Sequence, residues 1–130
     1  MRKIAVIGAG PAGIESASIL ARENEVLLFE KSATALSNIL DKAYLFPDFS
    51  SASEIADSLN SKLINENIKL MLNTEVVDIV RNDSEWKIVD KSGKNYFVDA
   101  VLITTGYQTF DATRKEELGY GIYKGVVTSI

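Results

Sequence analysis

The chain contains no cysteine and no histidine. Without cysteine there is no disulfide, no thiolate nucleophile, no catalytic thiol pair and no iron–sulfur ligation by this chain. Without histidine, most zinc sites go as well. So does the side chain most often used as a general base near neutral pH. No residue is left that qualifies as a catalytic acid, base or nucleophile, and no metal ligand set is apparent. Any redox chemistry must come from a bound organic cofactor or from a partner chain. The net charge is -4, with no block of like charge. Nothing here suggests binding to nucleic acid or to a membrane surface. No apolar run approaches the ~20 residues of a membrane span. The start, Arg2-Lys3 followed by an apolar run to Ala12, imitates a secretory signal. Gly8, Gly10, Pro11 and Gly13 break the helix that such a core needs, and Glu15 puts a charge near the cleavage region, so that reading is set aside.

What is present is a globular composition. The chain has 130 residues, 46% hydrophobic and 25% charged, which suits one domain with a modest core. Lys3 to Ile7 reads as a buried parallel strand. A helix is predicted from Pro11 to about Arg22, with Ile14, Ala17, Leu20 and Ala21 inward and Asn24 ending it. Glu25 to Glu30 reads as a second buried strand. Lys31 to Ser50 is least regular: a helical turn near Leu36 to Leu40, then Tyr44, Phe46 and Phe49, an aromatic cluster of a kind that usually belongs to a core. Ser51 to Glu54 fits a capping box before a helix to about Ile64, with Ile55, Ala56, Leu59 and Leu63 inward. Ile68 to Leu72 is a third strand. Thr74 to Arg81, Glu85 to Asp90 and Asn95 to Val98 form an antiparallel meander, with turns at Asn82-Asp83-Ser84 and Lys91 to Lys94. Ala100 to Thr104 returns to the apolar type of a core strand. A helical turn is predicted near Arg114 to Leu118.

The sharpest motif lies in KIAVIGAGPAGIE, residues 3 to 15. Its glycines follow the spacing Gly8-x-Gly10-x-x-Gly13 between a strand and a helix. Gly8 permits a tight turn, Gly10 lets backbone amides approach a pyrophosphate, and Gly13 lets the helix pack closely on the strand. Pro11 suits the first helical turn. The free helical N–H groups and the dipole there favour an anion. Glu30 ends the second strand, 20 residues beyond Gly10. A carboxylate there can accept hydrogen bonds from adenosine ribose hydroxyls and would repel a 2′-phosphate, which disfavours NADP.

GAGPAG with Glu30-Lys31 resembles the FAD-binding half of the pyridine-nucleotide–disulfide oxidoreductase superfamily, the glutathione-reductase type. The meander over Thr74 to Val98 and the return motif VLITTG, Val101 to Gly106, extend that resemblance. The segments GYQTFD and LGYGIYKGVVTSI are similar to the large flavin subunit of heterodisulfide reductase and its relatives. The resemblance implies an α/β, Rossmann-like FAD/NAD(P)-binding domain: a parallel sheet with helices plus a three-stranded antiparallel meander. It implies FAD as cofactor, with Gly8, Gly10, Ala12 and Gly13 at the pyrophosphate and Glu30 at the ribose. Lys31 would lie beside the ribose. Val76 or Val77 would offer backbone groups to the adenine edge, and Thr105 and Gly106 would line the floor of the site.

The chain departs from that pattern in having no cluster cysteines and no Gly-Gly pair after the ribose acid, where it reads Ala35-Leu36-Ser37-Asn38. The NAD-binding half and the late Gly-Asp motif are missing too. Residues 1–130 are therefore read as a single, incomplete FAD-binding domain: a fragment of a longer protein or a reduced relative. The expected function is FAD-mediated electron transfer in an oxidoreductase, drawing on NAD(P)H or a donor protein and passing electrons to an acceptor. The alternative is a non-catalytic module binding ADP, FAD or NAD, or a partner. A small NAD-binding enzyme domain is a third reading, opposed by the meander and by VLITTG. A cytoplasmic location is expected from the lack of disulfides and of a targeting segment.

Overall fold

Lys3–Ile7 forms β1 because its run of apolar residues can be covered on both faces of a sheet. The computed structural model describes residues 1–128; Ser129 and Ile130, which end the GYGIYKGVVTSI segment, lie outside the described residues. Helix α1 (Pro11–Leu20) follows the glycine loop, with proline at its start and Gly13, Ile14 and Ala17 buried. It ends where the backbone amide and side-chain amide of Asn24 both donate to the Leu20 carbonyl, at 3.1 and 3.0 Å. Strand β2 (Glu25–Phe29) then runs parallel to β1, in register from Lys3 against Glu25 to Ile7 against Phe29.

A short helix α2 (Ser37–Leu40), a small hairpin of β3 (Tyr44–Leu45) and β4 (Ser50–Ser51), and helix α3 (Ala52–Ser61) lead to β5 (Ile68–Met71), parallel to β2. The meander is β6 (Val76–Asn82), β7 (Glu85–Asp90) and β8 (Asn95–Val98), all antiparallel. Strand β9 (Ala100–Ile103) returns parallel to β1 on its other side. The parallel sheet has the order β5-β2-β1-β9. Side chains alternate across it. Val6, Val26 and Leu28 pack with Ile14, Ala17, Ala56 and Leu59 of the helices. Ala5, Ile7, Leu27 and Phe29 pack with Ile88 and Val98 of the meander. The Phe29 and Tyr96 rings meet edge to face with centroids 5.0 Å apart. This is the α/β, Rossmann-like arrangement with a meander that the motifs imply.

Several local expectations fail. Ser51 does sit at the N-cap of α3, but no side chain caps the helix, and the Ser51 hydroxyl pairs with Ser53 Oγ at 2.8 Å instead. The helix stops at Ser61, not Ile64, and Ile64 is exposed. Tyr44, Phe46 and Phe49 are not core: they are 66, 87 and 70% exposed. The β3–β4 hairpin leaves these rings in solvent, and of its apolar residues only Leu45 packs on the helix-side core.

Candidate functional site

The glycine loop is held at each peptide by its neighbours. The Gly8 amide donates to the Phe29 carbonyl at 2.8 Å, and the Ala9 carbonyl accepts from the Leu36 amide at 2.9 Å. Gly8 has φ +105°, a left-handed conformation that side chains disfavour, and a Cβ there would lie 2.6 Å from the Thr104 carbonyl oxygen. A Cβ on Gly13 would lie 1.8 Å from the Gly8 carbonyl oxygen, so α1 crosses the loop at backbone contact. Gly10 is different. A Cβ there would meet no heavy atom within 4 Å, so its lack of a side chain serves open space in front of the loop and not packing.

That open space faces a helix end. The first bond within α1 runs from the Ile14 amide to the Gly10 carbonyl at 3.0 Å. The amides of Ala12 and Gly13 precede it and have no helical acceptor. Pro11 and Ala12 are exposed there. Unsatisfied amides, the positive end of the helix dipole and a clear approach at Gly10 suit a diphosphate.

Glu30 follows β2 and turns back to the loop. Its Oε2 accepts from the Ala9 amide at 2.9 Å, and its Oε1 accepts from the Ser32 amide at 2.8 Å. A carboxylate has about four acceptor positions, so two remain for a ligand's hydroxyls. Lys31 is exposed, and its charge helps Lys91 hold the Glu75 carboxyl below the usual range; the hydrogen bond and charge of Lys91 are the larger causes. Val76 and Val77 start β6 at an irregularity in its pairing with β7. Together with Ile7, Asp78, Ile79, Ile103 and Thr105 they line an open depression of about 370 Å³ that is mostly apolar apart from Asp78. Thr105 thus joins the two valines at the β1 and β9 strand ends. Gly106 is exposed with φ +71°.

Two contributors escape the motif reading. One is the Ala9 amide, bonded to Glu30. The other is Thr104, whose hydroxyl lies 3.0 Å from both the Ile7 and Gly8 carbonyl oxygens. Thr104 lies inside the return motif VLITTG, but the resemblance assigned the site to its neighbours Thr105 and Gly106. Among the described residues no group of three or more acidic or histidine side chains is placed to hold a metal ion, and no helix is long and apolar enough to cross a membrane.

The model of the pyridine nucleotide-disulphide oxidoreductase family matches residues 2–124. The chain belongs to that family. A nitric oxide reductase FlRd-NAD(+) reductase of Vibrio vulnificus is 31% identical over 124 residues, covering 95% of this chain and 29% of that protein. One subunit of the H(2)/formate:CoB-CoM heterodisulfide,ferredoxin reductase of Methanococcus maripaludis is 50% identical over 36 residues, 28% of this chain and 6% of that protein. A thioredoxin reductase of Lactococcus lactis superposes with a TM-score of 0.74 at 21% identity, covering 92% of this chain and 41% of that one. The last likeness shows the fold. The chain spans less than a third of the length of the curated relatives just described.

Proposed function

We propose that this chain is the FAD-binding module of a flavin-dependent, NAD-linked oxidoreductase. The observation that carries the reading is the contrast among three glycines. Gly8 and Gly13 are closed by backbone contact, while Gly10 opens in front of unbonded helical amides, with Glu30 tied to the same loop. In this reading Gly8, Gly10, Pro11, Ala12 and Gly13 shape the diphosphate cradle, with the amides of Ala12 and Gly13 as donors. Glu30 accepts from the ribose, with Lys31 near its rim. Val76, Val77 and Thr105 receive the adenine in the apolar depression, and Gly106 lets the chain leave the site floor. When bound, FAD supplies the electron-transfer chemistry; this chain binds and orients it. An electron-donor or acceptor protein, NAD(P)H as reductant, a cytoplasmic location, and residues 1–130 acting as one FAD-binding domain belong to the same proposal.

A second reading is a module that grips only the ADP portion of a dinucleotide. The sequence favours it by having no Gly-Gly pair after Glu30, where it reads Ala35-Leu36-Ser37-Asn38. Absorption spectra and titration with FAD, ADP and NAD separate the two. FAD binding tighter than ADP, with a shifted flavin spectrum, supports the first. Equal affinities and no shift support the second. Glu30→Ala is expected to weaken FAD and ADP binding by roughly 1–3 kcal/mol, the range for hydrogen bonds to a charged group. Unchanged affinity by calorimetry would remove Glu30 from the site.

A further inference from the structure

We propose that Thr104 is a positioning residue for the glycine loop, acting with Glu30 to clamp the Gly8–Ala9 peptide from opposite ends. The inference rests on the dinucleotide reading of this loop. A peptide unit has one carbonyl and one N–H, pointing opposite ways. Here each is taken by a side chain from a different neighbour of β1. The Gly8 carbonyl accepts from Thr104 Oγ1 at 3.0 Å, at the end of β9. The Ala9 N–H donates to Glu30 Oε2 at 2.9 Å, at the end of β2. The sheet order β2-β1-β9 makes this possible, because it brings the two flanking strand ends level with the loop.

The clamp has a physical consequence. Gly8 is glycine at φ +105°, so its own torsions do little to hold the peptide plane. Turned over, the peptide would lose both side-chain partners and aim its carbonyl at the Glu30 carboxylate. Thr104 is itself anchored, since its amide donates to the Ile7 carbonyl at 2.9 Å while its hydroxyl is shared between the Ile7 and Gly8 carbonyls. Its Oγ1 also lies 2.9 Å from where a Gly13 Cβ would be, so it sits at the crossing of loop and helix. Thr104 reaches the ligand only through the loop. It should therefore govern the diphosphate-binding geometry more than the binding of a bare nucleoside.

The test compares Thr104→Val, close in shape but without the hydroxyl, with Thr104→Ser, which keeps it. In ligand-free protein, amide hydrogen exchange at Ala9 should quicken in Thr104→Val, with Leu28 in the sheet core unchanged. In calorimetry, Thr104→Val should bind ADP about five- to tenfold more weakly, the loss expected from one net hydrogen bond. Adenosine affinity should fall less than ADP affinity, since adenosine carries no diphosphate to meet the loop amides. Thr104→Ser should restore both Ala9 protection and ADP affinity. Wild-type ADP affinity in Thr104→Val would overturn the clamp alone. A uniform rise in exchange across the sheet, or equal losses for ADP and adenosine without rescue by serine, would overturn it in favour of a plain stability role. A wild-type protein that binds no ADP would overturn the dinucleotide reading and the clamp's role with it.

Discussion

Gly10 and Gly13 share a motif but not a physical reason, and single substitutions separate them. Gly13→Ala puts a methyl group 1.8 Å from the Gly8 carbonyl oxygen, a backbone atom with no room to move aside. It is expected to destabilise the fold by roughly 1–3 kcal/mol, as overpacking does. Gly10→Ala meets nothing within 4 Å, at a helix N-cap whose φ of -77° any residue accepts. It should cost stability only about 0.5–1 kcal/mol, the difference between glycine and alanine as N-caps, yet weaken FAD or ADP binding by blocking close approach. Urea denaturation beside calorimetry measures both. Equal stability losses in the two variants would sink the distinction. The spacing alone made the loop recognisable. Which glycine serves packing and which serves access depends on how α1 crosses the loop, which sets Gly13 against the Gly8 carbonyl and leaves Gly10 open.

At the scale of elements, the β7–β8 hairpin depends on one carboxylate. Asp90 is 6% exposed and accepts from the Ser92 amide and hydroxyl, the Lys94 amide and the Tyr96 hydroxyl. The Ser92 hydroxyl does most to hold its carboxyl below the usual range, helped by Tyr96 and the two amides and opposed by desolvation. A carboxyl depressed in the folded state adds stability that is present above its unfolded pKa and lost as pH falls through the folded one. The meander should therefore loosen on acidification, in a step that Asp90→Asn abolishes. Trp86, the single tryptophan, is half-buried in β7 opposite Val98 and reports this by fluorescence. An acid transition identical in both proteins would show that Asp90 is not the group responsible. The aromatic hairpin makes the opposite case. Phe46 is 87% exposed, so Phe46→Ser should shift stability by less than about 0.5 kcal/mol in thermal melts. A loss above about 2 kcal/mol would mean that the residue is packed after all. Hydrophobicity pointed to a core here because composition cannot show that a hairpin of two-residue strands leaves its rings in solvent.

At the scale of the whole molecule, the proposed ligand touches the loop, the β2 end and the β9 end at once, and those strands carry both cores. Binding should thus stabilise the helix side and the meander side together. With free FAD at 100 times Kd, linkage gives about 2.7 kcal/mol, or a rise in Tm of roughly 10 °C for a domain of this size. Far-UV circular dichroism and Trp86 fluorescence should move by the same amount. A shift in the first without the second would mean that the meander melts independently of the site.

The local pattern was enough to determine the strand–loop–helix–strand unit, the meander and the acid at the end of β2. Each rests on periodicity, glycine spacing or turn residues within a short window, and such signals act through neighbours along the chain. Element ends, the failed capping box and the exposed aromatics were decided by packing between distant residues. The same holds for the paired grip of Thr104 and Glu30 on the Gly8–Ala9 peptide. Glycine-to-acid spacing links residues 8 and 30, but no spacing links either to residue 104; the order β2-β1-β9 makes all three neighbours, because parallel strands place their carboxyl ends side by side.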